Sequence, residues 1–152
     1  MLPTVLDTGS SKLESPESEP MPHQRLTPHG LIKPANFTQV VVATGRRVVF
    51  LSGQLSMDAD GELVANGDFD GQARQVYANL RAALAGAGAS AADVVKLTTY
   101  IVGYTPALLP TLAEARLTVF STAELPASTL IGVQALAGPD YLIEVEAIAV
   151  VD

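Results

Sequence analysis

The chain has 152 residues, 48 % of them apolar, and a formal net charge of −7 at pH 7. That length allows one domain with a real core, and no apolar run nears the ~20 residues of a membrane-spanning helix. Nine scattered basic residues, 5 % aromatics and no Trp or Cys exclude a phosphate-binding stripe, a base-stacking platform, disulfides and thiolate chemistry.

Residues 1–30 are rich in Pro, Ser and Glu and show no period. They read as a disordered or loosely attached arm ahead of a domain over 31–152. The start has neither a basic n-region nor an apolar h-region, so a cytoplasmic protein is expected; Met21 is an alternative first residue. Residues 37–44, FTQVVVAT, read as a strand, GRR as a turn, and residues 48–54, VVFLSGQ, as the hairpin partner. A polar loop with Asp-Gly and Asn-Gly turn signals follows. Asp68 is placed to cap a helix whose apolar residues Phe69, Ala73, Val76, Tyr77, Leu80 and Leu84 recur at three and four. GAG at 86–88 stops it.

DVVKLTTYIVG reads as a long strand, and Pro106 opens a second helix to about Phe120 with Leu109, Leu112, Ala113, Arg116 and Leu117 along it. Pro110 lies in its first turn, where proline costs little. PASTLIGVQAL and YLIEVEAIAVV end the chain as strands. The order β-β-α-β-α-β-β predicts an α+β fold with one sheet and both helices on one face. In the last strand, alternation puts Ile143, Val145, Ala147 and Ala149 on one side and Glu144, Glu146, Ile148 and Val150 on the other. Two helices cover one side only. Ile143, Val145 and their neighbours are expected on the open side, where oligomerisation would cover them and form pockets between subunits.

His23 and His29 are the only histidines. Without carboxylates at ligand spacing they predict no metal site, and their place near the arm disfavours a Ser-His-Asp triad. They read as solvated or loosely packed. No glycine pattern forms a dinucleotide fingerprint or a P-loop. Ser52-Gly53-Gln54 is either a strand end with a turn or a pocket rim, where a hydroxyl and a bare backbone meet a ligand. Glu144 and Glu146 pose the sharper question, because a buried carboxylate costs several kcal/mol unless paired, bonded or protonated. Either both are structural, held by Lys96, Arg74, Arg81, Arg116 or backbone amides, or one is a base that activates water, its pKa raised by burial.

These segments together, VVFLSGQLSMDADGELV, QARQVYANLRAALAGAG, DVVKLTTYIV and LPASTLIGVQAL…YLIEVEAIAVV, resemble the RidA/YjgF family. The resemblance runs from about Ala35 to the end without a large gap. It implies the YjgF-like α+β fold, shared with one class of chorismate mutase, and homotrimers with an inner sheet-lined barrel and three intersubunit clefts. It further implies a small-molecule ligand, no cofactor and, in the deaminase branch, hydrolysis of enamines and imines to keto acids and ammonia; the charge and the lack of a long apolar run speak against nucleic-acid and membrane partners. The family's serine falls on Ser52, beside Gly53, and its water-positioning glutamate on Glu144. Its tyrosine becomes Phe37, its helix asparagine falls near Thr111 or Leu112, and its cysteine becomes Leu130. The arginine that clamps the substrate carboxylate becomes Ser128, followed by Thr129.

An arginine fork makes two charge-assisted bonds, and a serine hydroxyl makes one neutral bond about half as strong. The resemblance therefore implies a RidA-like hydrolase or deaminase acting on a small reactive imine, enamine or related electrophile other than 2-aminoacrylate. Glu144 would orient water, and Ser52, Ser128 and Thr129 would hold polar atoms. The alternative is a non-catalytic trimer that binds a metabolite or a protein. An endoribonuclease ranks third, given the net charge of −7.

Overall fold

The computed structural model describes residues 23–152. The apolar period after Asp68 folds as helix α1, Phe69–Gly86. Asp68 caps it from extended backbone, accepting the Asp70 N–H at 3.1 Å. Ala73, Val76, Tyr77, Leu80 and Leu84 are buried along one stripe, joined by Gln72. The second helix, α2, is Leu109–Leu117 and follows a 3₁₀ turn at Pro106–Leu108. It buries Leu112, Ala115 and Arg116.

The strands are β1, Gln24–Leu26; β2, Val40–Val42; β3, Arg47–Gln54; β4, Val94–Val102; β5, Ala127–Val133; and β6, Ile143–Val151. A four-stranded mixed sheet has the order β3-β6-β4-β5. Strand β6 runs antiparallel to both neighbours, and β4 and β5 are parallel. The last strand of the chain is thus internal to the sheet, which explains its apolar residues on both faces. Ile143, Val145, Ala147 and Ala149 are buried in one core with Tyr77, Leu80, Leu84, Leu97 and Ile101.

Three expectations need correction. First, β2 and β3 do not form a hairpin. β2 pairs with β1, and β3 pairs with β6. A short edge segment takes whichever partner tertiary structure offers, and here β1 offers one from before the expected domain start.

Second, the expected arm divides. Residues 1–22 lie outside the described residues, whereas Gln24–Leu26 pair in register with Val40–Val42. Arg25 Nη2 donates to the Ala92 carbonyl at 3.0 Å. His23 is a clip and not a solvated histidine: its Nδ1 accepts the Thr44 N–H at 3.2 Å, and Nε2 lies 3.0 Å from the Val150 carbonyl. The first bond fixes the proton on Nε2.

Third, Ile143 and Val145 face the helices. The apolar residues of the opposite face are Val48, Phe50 and Ile131 at 56 %, 76 % and 39 % exposure, with Ile148 half-buried among them. No helix among the described residues is long and apolar enough to cross a membrane.

Candidate active site

Glu144 projects from β6 onto the face away from the helices. Its neighbour across the strand pair is Tyr100, and Glu146 lies opposite Thr98. The start of β6 is pinned from below. Buried Gln72 donates to the Asp140 carbonyl and accepts from the Leu142 N–H, both at 2.8 Å. On the other side, the β3–β6 register slips between Leu51 and Gln54. Ser52-Gly53 forms this bulge, a device that re-aims side chains. SGQ is therefore an irregularity inside a paired strand and not merely its end.

The bulge brings the Gly53 backbone under the Glu144 carboxylate. A Cβ added at Gly53 would lie 1.8 Å from Glu144 Oε1 and 2.6 Å from its carboxyl carbon. Only glycine leaves that space. Glu144 has no hydrogen bond or ion pair among the described residues. Burial, then the like charge of Glu146, raises its pKa above the usual carboxylate value.

Glu146 has a partner, though none of those expected: the Tyr100 hydroxyl donates to its Oε1 at 3.0 Å. That bond, followed by burial and the charges of Glu146 and Glu144, raises the Tyr100 phenol. Among the basic candidates, Lys96 bonds the Thr129 hydroxyl and Arg74 pairs with Asp70 and Glu114. Thr129 thus shares the face of Glu144. Ser52, Lys96, Thr98 and Glu146 line a shallow depression there with Phe50 and Ile148.

The other expected residues gather elsewhere. Ser128 and Leu130 are in register with Leu97 and Thr99, which point to the helix side. Phe37 reaches them through Thr38, which bridges to Ala127. Its N–H donates to the Pro126 carbonyl at 3.0 Å and its hydroxyl to the Leu125 carbonyl. Phe37, Ser128 and Leu130 line a cavity of about 260 Å³ with Asn36, Thr99, Tyr104, Leu112 and Arg116. Arg116 is the residue that sequence reasoning misplaced, having taken it for a carboxylate partner. The available signal was a cation on the apolar stripe of α2, one turn after Leu112.

The expected set therefore falls into two groups. Ser52, Gly53, Thr129 and Glu144 belong to the open face. Phe37, Ser128 and Leu130 belong to the helix side at the β5 edge. Within one chain the sheet separates them. Among the described residues no cluster of three or more His, Asp or Glu side chains is placed to hold a metal ion.

This architecture, a mixed four-stranded sheet with two helices, is that of a known class of small α+β proteins. The family profile described as Endoribonuclease L-PSP matches residues 30–151. A solved structure of a conserved Rid family protein of unknown function from Yersinia pestis superposes with a TM-score of 0.78 at 37 % identity, covering 86 % of this chain and 100 % of that one. A RutC family protein of Pyrococcus horikoshii is 35 % identical over 101 residues, 66 % of this chain and 77 % of that one. A 2-iminobutanoate/2-iminopropanoate deaminase of Dermatophagoides farinae is 29 % identical over 106 residues, 68 % of this chain and 78 % of that one. The chain belongs to this family, the Rid (RidA/YjgF) proteins.

Proposed function

We propose that the protein hydrolyses a small reactive imine, or an enamine after its tautomerisation, other than 2-aminoacrylate, at clefts between the subunits of a homotrimer. The observation that carries this reading is Glu144. It is a carboxylate without a partner among the described residues, seated on the Gly53 bulge with its pKa raised by burial. A carboxylate raised in this way takes a proton more readily than a free one, as a general base must. The likeness to an imine deaminase over 106 residues supports the same chemistry.

In the reaction, water attacks the imine carbon while Glu144 takes a water proton. The protonated carboxyl then returns that proton to nitrogen. That gives the carbinolamine; Glu144 then takes the remaining hydroxyl proton and delivers it to the amino nitrogen, so that C=O forms as the C–N bond breaks and ammonia leaves. Nothing beyond imine and water is consumed. Ser52 and Thr129 offer hydroxyls on the same face.

The division of the residues into two groups supports the assembly. A second copy whose β5 edge met the open face of the first would bring Phe37, Ser128 and Leu130 opposite Glu144. The open face carries exposed Val48 and Phe50 that such packing would cover. Ser128, where the family resemblance implies an arginine, together with apolar Phe37 and Leu130, supports a substrate with a longer apolar chain than 2-aminoacrylate. The net charge of −7 gives ribonuclease activity no support.

The test is hydrolysis of 2-iminobutanoate, generated in situ from 2-aminobutanoate by an amino-acid oxidase, with the spontaneous rate subtracted. Wild type should accelerate ammonia release and Glu144→Gln should not. Equal rates for the two would remove the base, and no acceleration by either would favour a non-catalytic binding trimer.

A further inference from the structure

The cavity beside Ser128 has a polar group on its inner side that the protein leaves unsatisfied. Arg116 is only 7 % exposed, yet its Nε has no hydrogen-bond partner among the described residues. The ion pairs among those residues are Arg74 with Asp70 and with Glu114, and neither involves Arg116. Fully buried Tyr77 on α1 lies behind it: burial raises its phenol, and the Arg116 charge followed by a bond with Thr99 pulls it back. Thr99 and Arg116 both line the cavity, about 260 Å³, together with Ser128, Tyr104 and apolar Phe37, Leu112 and Leu130.

A buried cation with no counter-charge is expensive, and an orphaned buried donor adds to that cost. Proteins keep such groups where something else completes them. The group that completes a guanidinium is a planar anion with two acceptor oxygens. An apolar-walled cavity with one buried cation suits a small organic carboxylate.

We infer that Arg116, from helix α2, is the anion-binding residue of this cavity and holds the carboxylate of a small 2-oxo or 2-imino acid. This rests on the imine-hydrolase reading for the identity of the acid. The cation lost at position 128 is thus supplied from another layer of the fold, by a helix and not by the edge strand. The carboxylate would enter beneath α2, with Ser128 and Thr99 offering hydroxyls at its sides. The substrate is accordingly an anion, though one presented differently from a substrate clamped by a β5 arginine.

The experiment is calorimetric titration of the full chain with 2-oxobutanoate and with its neutral analogue, 2-oxobutanamide. Wild type should bind the acid at least about tenfold more tightly, the low end for a lost charge-assisted bond. Arg116→Met should abolish that preference and keep or raise the melting temperature, because it removes an uncompensated buried charge. Ser128→Glu should place a carboxylate against Arg116 from within, raise the melting temperature and block the acid. Acid and amide binding equally to wild type, or Arg116→Met binding the acid as tightly as wild type, overturns the inference. Should Arg116→Met not fold, undiminished acid binding by Ser128→Glu does the same.

Glu144→Gln separates this inference from the functional reading, since it should lose turnover and keep acid binding. Acid binding lost with Arg116 in a protein that hydrolyses no imine would leave the anion site standing and the hydrolase reading refuted. Hydrolysis unchanged in KM by Arg116→Met would do the opposite.

Discussion

Gly53→Ala isolates the placement of Glu144 from its chemistry. Gly53 is not among the positive-φ glycines, so alanine meets no backbone penalty there. The obstacle is space alone. The new methyl would sit 1.8 Å from Glu144 Oε1, and ordinary contact begins at 3.4 Å, so the carboxylate must retreat by about 1.6 Å. The clashing atoms run from Oε1 back to Cγ, the last at 2.9 Å, all on one flexible side chain, so an off-rotamer χ of ~0.5–1.5 kcal/mol relieves the clash. The lower chain entropy of unfolded alanine offsets ~0.4–1 kcal/mol of that. Stability should therefore change by no more than about 1 kcal/mol.

Catalysis is less forgiving, because a misplacement of ~1 Å can cost 10²-fold. We expect kcat for 2-iminobutanoate hydrolysis to fall about 10²-fold or more, equivalent to ~2.7 kcal/mol of barrier. Denaturation midpoints and initial rates on the same preparation separate the two quantities. In the double variant Gly53→Ala/Glu144→Gln, the glycine change should add nothing further, as expected for groups acting as one unit. A Gly53→Ala enzyme with wild-type kcat would refute the argument that the bulge positions a working carboxylate.

Four other outcomes are expected. Because the folded-state pKa of Glu144 is raised above 4.5 by burial and by Glu146, its ionisation costs stability as pH rises through the raised value. Melting temperatures at pH 4 and pH 7 should therefore show Glu144→Gln gaining on wild type at pH 7; a loss instead would mark Glu144 as structural. Glu146→Gln and Tyr100→Phe should each lower the melting temperature only slightly, since their shared bond is only partly buried, with turnover nearly intact; a selective loss of turnover would assign the chemistry to Glu146. Light scattering at micromolar concentration should give a trimer mass, and a monomer would leave the two groups of site residues permanently apart. Finally, 2-aminoacrylate generated from serine should not be hydrolysed at the rate of an arginine-bearing relative; an equal rate would show that Arg116 makes good in full the clamp missing at 128.

Period and alternation determined the local structure and the side on which most residues lie. Asp68 with the three-and-four spacing marked α1, and alternation in residues 143–149 separated the buried aliphatics from Glu144 and Glu146. These features follow from bonds and burial within one element. Pairing does not, since a strand's edges carry no address. Hence β2 took β1 as its partner, β6 moved between β3 and β4, and His23 became a clip on Val150. The order of residues singled out Glu144 and Ser128, but only the sheet's two faces decided that they stand apart in one chain. Which cation faces Ser128 was likewise a tertiary matter. Sequence spacing gives the face of Arg116 on α2, whereas the layer that α2 packs against decides whether that face meets a carboxylate or a cavity. It meets a cavity, because the helix stripe that buries Leu112 and Ala115 against the core carries Arg116 in with them.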